Sequence, residues 1–538
     1  MASTGIDTTS LLTILGVIAA VWAIVPPTSR LSFRLSLSWF DWIVVLGVLL
    51  TVHALIFEDV LRALRLYPVV GPWKWGFDKN GLLYLLFLGL TLYVWWRSRK
   101  TRLHPANLAL FERLAMTLLH ARKYEDLGVL LEQHLPAAFE IANSRGWRGQ
   151  IISMVRPPGP PLPTFEFVEG RLLARATPRL PRLVAIQQKV RARLVDALTP
   201  KDSASLRAKS LIKLLLSSRQ LVGYLALAHP HLCLSVMTQA TRLVDDFQDN
   251  FFDSLLRNES SIFYAELKNS QNLDVGHRLQ ILPENRLISF YLKDVQVAAS
   301  LGVYRSLGES MLSMIDTDDD LSQSLNGPMR TYGDVEVYRC PIYCGVHFFR
   351  MMVLEGLHQQ TSDHLWLHYV PHFVDHILAR ARSSTPDDEN SEFATRFSYL
   401  LYQLVKVTTD WIEQAERVTE AGDVLTHESV DGRHAYIAFE ACRALGPVMQ
   451  DILQSEKVTD RLKDELFEAI LRTLGRIEAV PRLVPLANAI ASSLVRPHRF
   501  KASEGYVQEL GSRYSAMDYH LRKAECRLKR AIDAELAE

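Results

Sequence analysis

The chain has 538 residues with 60 Lys or Arg against 59 Asp or Glu, a net charge of +1, and 48% hydrophobic residues. A balance this close to neutral excludes a global field that would select nucleic acid or an acidic partner, so any electrostatic partner must be recognised locally. Five cysteines, an odd number without dense spacing, exclude a disulfide-rich secreted scaffold and read as reduced thiols.

Three apolar runs fill the first hundred residues, at about 9–26, 39–57 and 81–97. A helix needs roughly 17 to 25 apolar residues to cross a bilayer, and the first and third runs reach that length only with their flanks. Trp22, Trp39, Trp42, Trp73, Trp75, Trp95 and Trp96 stand at the run edges, where aromatic side chains meet headgroups. The segment before Leu11 has no basic residue and carries Asp7, so it lacks the positive start of a cleaved signal peptide. The pattern predicts a membrane domain over 1–102 with three transmembrane helices, in a bacterial inner membrane or its equivalent.

Arg97, Arg99, Lys100 and Arg102 follow the third run and predict an N-terminus outside, a cytoplasmic C-terminal domain, and contact with anionic headgroups. Arg62, Arg65, Lys74 and Lys79 in the second loop oppose that topology. His53 is the one readily charged residue well inside a run, and it predicts a hydrogen bond to a neighbouring helix or a conduction path.

Beyond residue 102 the apolar period is helical nearly throughout, as in 107–121, 124–143, 206–227, 398–418 and 460–474. The predicted fold class is mainly α: a large helical cytosolic domain, a bundle or an irregular helical-repeat-like array, with at most small β-hairpins. No repeat register recurs. Hairpins are expected only at 164–173, around Glu169-Gly170, and at 334–349, where apolar residues alternate. A membrane-proximal helical segment spans 103–156. The Pro-rich run 157–163 cannot continue a helix and reads as a stiff linker. A helical subdomain over 164–382, an acidic loop at 383–392 and a C-terminal helical subdomain over 393–538 complete the expected organisation.

From Arg171 to Arg219 the chain carries twelve Lys or Arg against Asp196 and Asp202 alone. Few aromatic or base-reading groups accompany them, so no sequence-specific nucleic-acid partner is expected.

Asp245, Asp246 and Asp249, with Asp253 beyond, spell Asp-Asp-x-x-Asp, which resembles the motif by which isoprenoid synthases hold Mg²⁺ and a diphosphate. That resemblance covers five residues and lacks a second acidic motif, so a solvated acidic helix face competes with Mg²⁺ binding. The five residues from Asp316 to Asp320 begin like a calcium loop, but Leu321 and Gly327 stand where its Gly and Glu belong, which leaves an acidic loop.

Six of the seventeen histidines lie between Cys340 and His376. His364, His368, His372 and His376 recur every fourth residue, the spacing that aligns neighbours on one helix face. If Pro371 starts a new helix, two His-x-x-x-His pairs result, each able to give Zn²⁺ two nitrogens. Without the Glu expected beside the first His of a hydrolytic zinc helix, a packing seam with Trp366, Tyr369 and Phe373 is the stronger reading.

No P-loop, dinucleotide glycine fingerprint or Gly-x-Ser-x-Gly elbow is present. The expected function is a membrane-anchored scaffold, sensor or regulatory subunit, partnered by the lipid bilayer and by another protein or a second copy. Two alternatives stand beside it. One is a Zn- or Mg-dependent enzyme using the His or Asp cluster. The other is an oligomerising membrane effector gated by the cytosolic domain, organised as some bacterial defence proteins are.

Overall fold

The computed structural model describes residues 39–65, 79–98, 103–143, 165–168, 171–174, 204–239, 245–270, 278–329, 335–359, 366–385, 391–418, 433–498, 502–522 and 526–537, with Leu35, Thr361 and Asp388. The chain is mainly α-helical. It divides into two compact units, 1–221 and 222–538.

In the first unit the helices are α1 (Trp39–Ile56), α2 (Glu58–Ala63), α3 (Lys79–Ser98), α4 (Leu108–His120), α5 (Tyr124–Asn143) and α6 (Ala204–Leu216). α7 (Arg219–Ala228) follows across the boundary. Strands β1 (Phe165–Val168) and β2 (Arg171–Ala174) pair antiparallel, with Val168 opposite Arg171, at the first expected hairpin.

α1 and α3 pack as a pair joined by a small core of Val52, Leu55 and Leu83, with Val48, Leu82, Leu86 and Phe87 against it. At its other end the Tyr93 hydroxyl donates to Asp41 Oδ1 at 2.5 Å, and Asp41 is only 1% exposed. No single described helix is long and apolar enough to cross a membrane; Phe40–Leu55 and Leu82–Tyr93 are shorter apolar stretches. Helices α1 and α3 form where the second and third spans are expected, but neither is long and apolar enough to be shown as a span, and the run at 9–26 lies outside the described residues. α6 and α7 pass the length and composition test only together, bent by 78°. The break falls at Ser217 and Ser218 inside the expected continuous helix 206–227.

α4, α5 and α6 bury Phe111, Leu131, Leu135 and Ile212 among themselves. Inside this packing His134 is 1% exposed, and neither ring nitrogen has a hydrogen-bond partner. Burial lowers its pKa, because the charged form would lose its water without compensation.

The second unit continues with α8 (Pro230–Gln239), α9 (Asp245–Leu256), α10 (Ile262–Asn269), α11 (Arg286–Leu292), α12 (Val295–Leu301), α13 (Val303–Thr317) and α14 (Asp319–Leu325). After them come α15 (Pro341–His358), α16 (Trp366–Arg380), α17 (Arg396–Val418), α18 (Arg433–Gln454), α19 (Asp460–Glu478), α20 (Val484–Val495), α21 (Glu504–Ala516) and α22 (Arg527–Ala537). The second expected hairpin is corrected: Val335–Arg339 is a 3₁₀ turn and Pro341 starts α15. Pro at the first helical turn sacrifices no hydrogen bond, and Ile342, Val346, Phe349 and Val353 then supply a buried helical stripe that outweighs the short alternation.

Local sequence sets several helix ends. Asp294 accepts from Gln296 N at 3.0 Å to start α12, and Gly302, at φ +65°, takes the left-handed turn between α12 and α13. Thr459 accepts from Leu462 N at the start of α19.

The core of this unit is aromatic. Phe348 is fully buried, with ring centroids 5.5 Å from Phe263, 6.2 Å from Tyr291, 6.0 Å from Trp366 and 6.4 Å from Phe252. These tilted and edge-on contacts join α9, α10, α11, α15 and α16, so α15 acts as their common support. His347, the next residue on α15, stacks on Tyr343 at 6.3 Å, and its Nε2 is buried without a hydrogen-bond partner. Burial, with the nearby Arg350 cation, lowers its pKa to about 4.

Truncating Phe348 to Ala should destabilise the unit by about 3–5 kcal/mol, read as a lowered thermal midpoint of the helical circular dichroism signal. For His347 the folded pKa lies below the unfolded value, so the unfolded state binds more protons as pH falls from about 6.5 towards 4, and stability drops on the order of 2–3 kcal/mol across that window. Glu266 and Asp451, whose pKa values burial raises, act in the opposite sense in its lower part. Denaturant titration of His347→Phe beside the parent isolates the histidine: the variant should show the shallower loss of stability on acidification.

Candidate functional site

α18 lies between α16 and α20 and packs on both. Over it runs a cavity of about 910 Å³. The side chains facing it repeat at helical spacing: Leu367, His368, Pro371 and His372 from α16; Phe439, Glu440, Arg443, Ala444 and Pro447 from α18; Pro485, Asn488, Ala489 and Ser492 from α20. Arg496, Pro497 and His498 close it beyond α20.

The furrow depends on how closely α18 and α20 cross. Pro447 has no amide proton, so the Arg443 carbonyl four residues earlier loses its intrahelical donor. The Ser493 hydroxyl replaces it, donating to Arg443 O at 2.9 Å while accepting from Gly446 N at 3.1 Å. Gly446 makes this approach possible: a Cβ there would lie 2.1 Å from the Ser493 carbonyl oxygen. Pro371 similarly occurs inside α16, which continues through it. The helix start at Pro371 that the zinc reading requires does not form, since the apolar stripe Trp366, Val370, Phe373 and Ile377 stays buried on both sides.

The cations of the furrow are paired with carboxylates, one of them in the furrow itself. Arg443 pairs with Glu440, and Arg496 Nε donates to Glu535 Oε2 at 2.5 Å, with Glu535 7% exposed. Arg527 donates to Asn488 Oδ1 at 2.7 Å. Burial raises the carboxyl pKa of Asp451, reinforced by the Asp375 carboxylate and opposed by His498.

Of the expected zinc set, His368 and His372 stand exposed, one turn apart, on the wall of the furrow. His376 instead bonds Asp316 through Nδ1 at 2.8 Å, and His364 lies outside the described residues. Among the described residues no group of three or more His, Cys, Asp or Glu is placed to hold a metal ion. Two imidazoles do not complete a tetrahedral zinc set.

The acidic motif is largely absorbed by packing between α9 and α13. Asp249 accepts from Ser306 Oγ at 2.5 Å and from Arg305 Nη2 at 3.3 Å, while Asp253 pairs with Arg257 at 2.8 Å. Asp246 is exposed, and Asp245 begins the helix. The next acidic stretch is also occupied: Asp318 caps α14 through Leu321 N at 2.9 Å, and Asp319 pairs with Arg380 of α16. In the acidic loop Arg382 and Thr385 N hold Asp388, which lowers its pKa well below the usual carboxylate range.

The proposed headgroup contacts Arg99, Lys100 and Arg102 lie outside the described residues, and Arg97 falls in the last turn of α3. All five cysteines are free, and four of them are buried. Comparison with protein-family models, curated proteins and solved structures yields no match.

Sequence reading reached His368 and His372 but not Arg443, Arg496 or His498. These come from segments more than fifty residues apart from the histidine pair, and no local motif joins them; the surviving signal was Gly446-Pro447 inside an otherwise regular helical pattern.

Gly446→Ala should cost about 2–4 kcal/mol, because the added methyl meets backbone rather than a movable side chain. Ser493→Ala should cost about 1–3 kcal/mol by orphaning the Arg443 carbonyl. Chemical denaturation of the two variants checks both, and an unchanged midpoint for Gly446→Ala would contradict the close crossing.

Proposed function

We propose that this chain is a membrane-anchored scaffold or sensor, held in the bilayer by the α1–α3 pair and acting through binding by its helical second unit. One observation carries the membrane half: fourteen of the twenty exposed large hydrophobic side chains among the described residues fall between Phe40 and Trp96. The other six are scattered along the rest of the chain. Exposure of this extent, including Phe40 and Trp42 at 62% each, is stabilised by lipid or a partner surface and is costly in water.

Polar chemistry in the pair supports the same reading. Asp41 meets Tyr93 between the helices, and Thr51 and Thr91 return their hydroxyls to the carbonyls of Gly47 and Phe87 at 2.8 Å. His53 does the same with Leu49 at 3.1 Å. Groups satisfied within their own helix or across the pair are tolerated in hydrocarbon. At 1.5 Å per residue the apolar stretches Phe40–Leu55 and Leu82–Tyr93 are about 24 and 18 Å long, so reaching across a hydrocarbon core of about 30 Å takes the flanks of each helix as well. In this reading Arg97, Arg99, Lys100 and Arg102 meet anionic headgroups and the helical unit lies in the cytoplasm.

The binding half is supported by the furrow between α16 and α20 and by the engagement of both acidic stretches in packing. A protein partner or a second copy is the expected associate.

Alkaline carbonate extraction of membranes carrying the full chain tests the anchor. The protein should stay with the membrane pellet, and replacing Phe40, Trp42, Leu46 and Leu50 together by Ser should release it. Complete release of the parent chain by carbonate would overturn the anchor.

A further inference from the structure

We infer that the furrow over α18 is a binding site for an organic phosphate, a phosphate ester carrying an apolar or aromatic body. The inference goes beyond the membrane-anchor reading and stands independently of it.

The volume is the first argument. About 910 Å³ falls in the range of small-molecule sites and greatly exceeds what an inorganic anion fills. The second is the donor set. Arg443 and Arg496 enter from α18 and from the turn after α20, while His368 and His372 enter from the opposite wall and His498 from the far end. Glu440 is the only carboxylate among the residues lining the furrow. Two guanidiniums and three imidazoles lining one furrow offer donors to an anion with several oxygens, and guanidinium geometry favours phosphate. Each guanidinium is held by a carboxylate, Glu440 for Arg443 and the buried Glu535 for Arg496, which fixes the donors in place before any ligand arrives.

The third argument is the remaining lining. Leu367, Phe439, Ala444, Ala489 and the proline rings offer apolar contact beside the charged rim, where an ester's organic portion is buried. A bare carboxylate or phosphate uses none of this surface. Two sources supply such chemistry: a soluble phosphate ester such as a nucleotide, and the headgroup of a phospholipid.

Full-length protein in detergent is titrated calorimetrically with four probes: ATP, AMP, inorganic phosphate and short-chain phosphatidic acid. Saturable binding of a nucleotide or of phosphatidic acid is expected, the first marking a soluble source and the second a lipid headgroup. Arg496→Gln, and separately the double variant His368→Gln with His372→Gln, should each weaken that binding at least tenfold. Both histidines are exposed, so the double variant should keep the parent's melting temperature even if loss of the Glu535 pair unsettles the arginine variant. Absence of binding by all four probes at millimolar concentration would overturn the inference. So would binding of inorganic phosphate as tight as that of the esters, or ester binding undiminished in the double variant. Carbonate extraction reads none of these outcomes, so the anchor and the phosphate site fail separately.

Discussion

The contact between Gly446 and Ser493 is the constraint on which the C-terminal helices depend. A proline inside α18 removes one backbone donor, and one hydroxyl from α20 restores the balance by donating to Arg443 O and accepting from Gly446 N. Two helices can exchange such bonds only where one of them lacks a side chain, because a Cβ on Gly446 would occupy the space of the Ser493 carbonyl. Close approach on this side leaves α16 and α20 as walls above a recessed α18. The furrow is thus a by-product of backbone satisfaction, and the arginines at its edge inherit their positions from the same crossing.

Among the described residues, the acidic stretches that stand out in the sequence are engaged in packing. Asp249 and Asp253 tie α9 to its own last turn and to α13, Asp316 and Asp319 meet His376 and Arg380 on α16, and Asp388 closes the loop before α17. On the outer surface Arg513 gathers Asp460, Asp464 and Glu509 between α19 and α21. Individually such pairs contribute little in water, but together they set which helix faces meet. Motif density in the sequence therefore marked helix interfaces more often than chemistry, and the one pair of histidines outside these interfaces, His368 and His372, is the pair that faces the furrow.

The two units show opposite treatments of apolar surface. In the second, Phe252, Phe263, Tyr291 and Phe348 enclose one another, and the exposed large apolar side chains are isolated. In the α1–α3 pair the interior is only a few leucines and valines wide, and aromatic and aliphatic side chains project outward along both helices. Among the described residues, apolar surface is thus enclosed in the second unit and left exposed on the α1–α3 pair.

Helical content, the absence of common nucleotide and hydrolase motifs, and the positions of α1, α3, α5, α17 and α19 were legible in the sequence, because the 3.6-residue period and the apolar runs are local signals. Val335–Arg339 and α15 were not, since a short alternation imitates a strand until Ile342, Val346 and Phe349 find partners on other helices. Pro371 reads as a break, yet its helix continues, as α18 does through Pro447, because burial of their apolar faces outweighs one missing hydrogen bond. The sequence by itself determined an α-helical chain with an apolar front end and free thiols. Only the tertiary structure decided which carboxylates are engaged by neighbours and which cations share a furrow, because those outcomes depend on packing between helices distant in sequence, and for the furrow on the close crossing at Gly446.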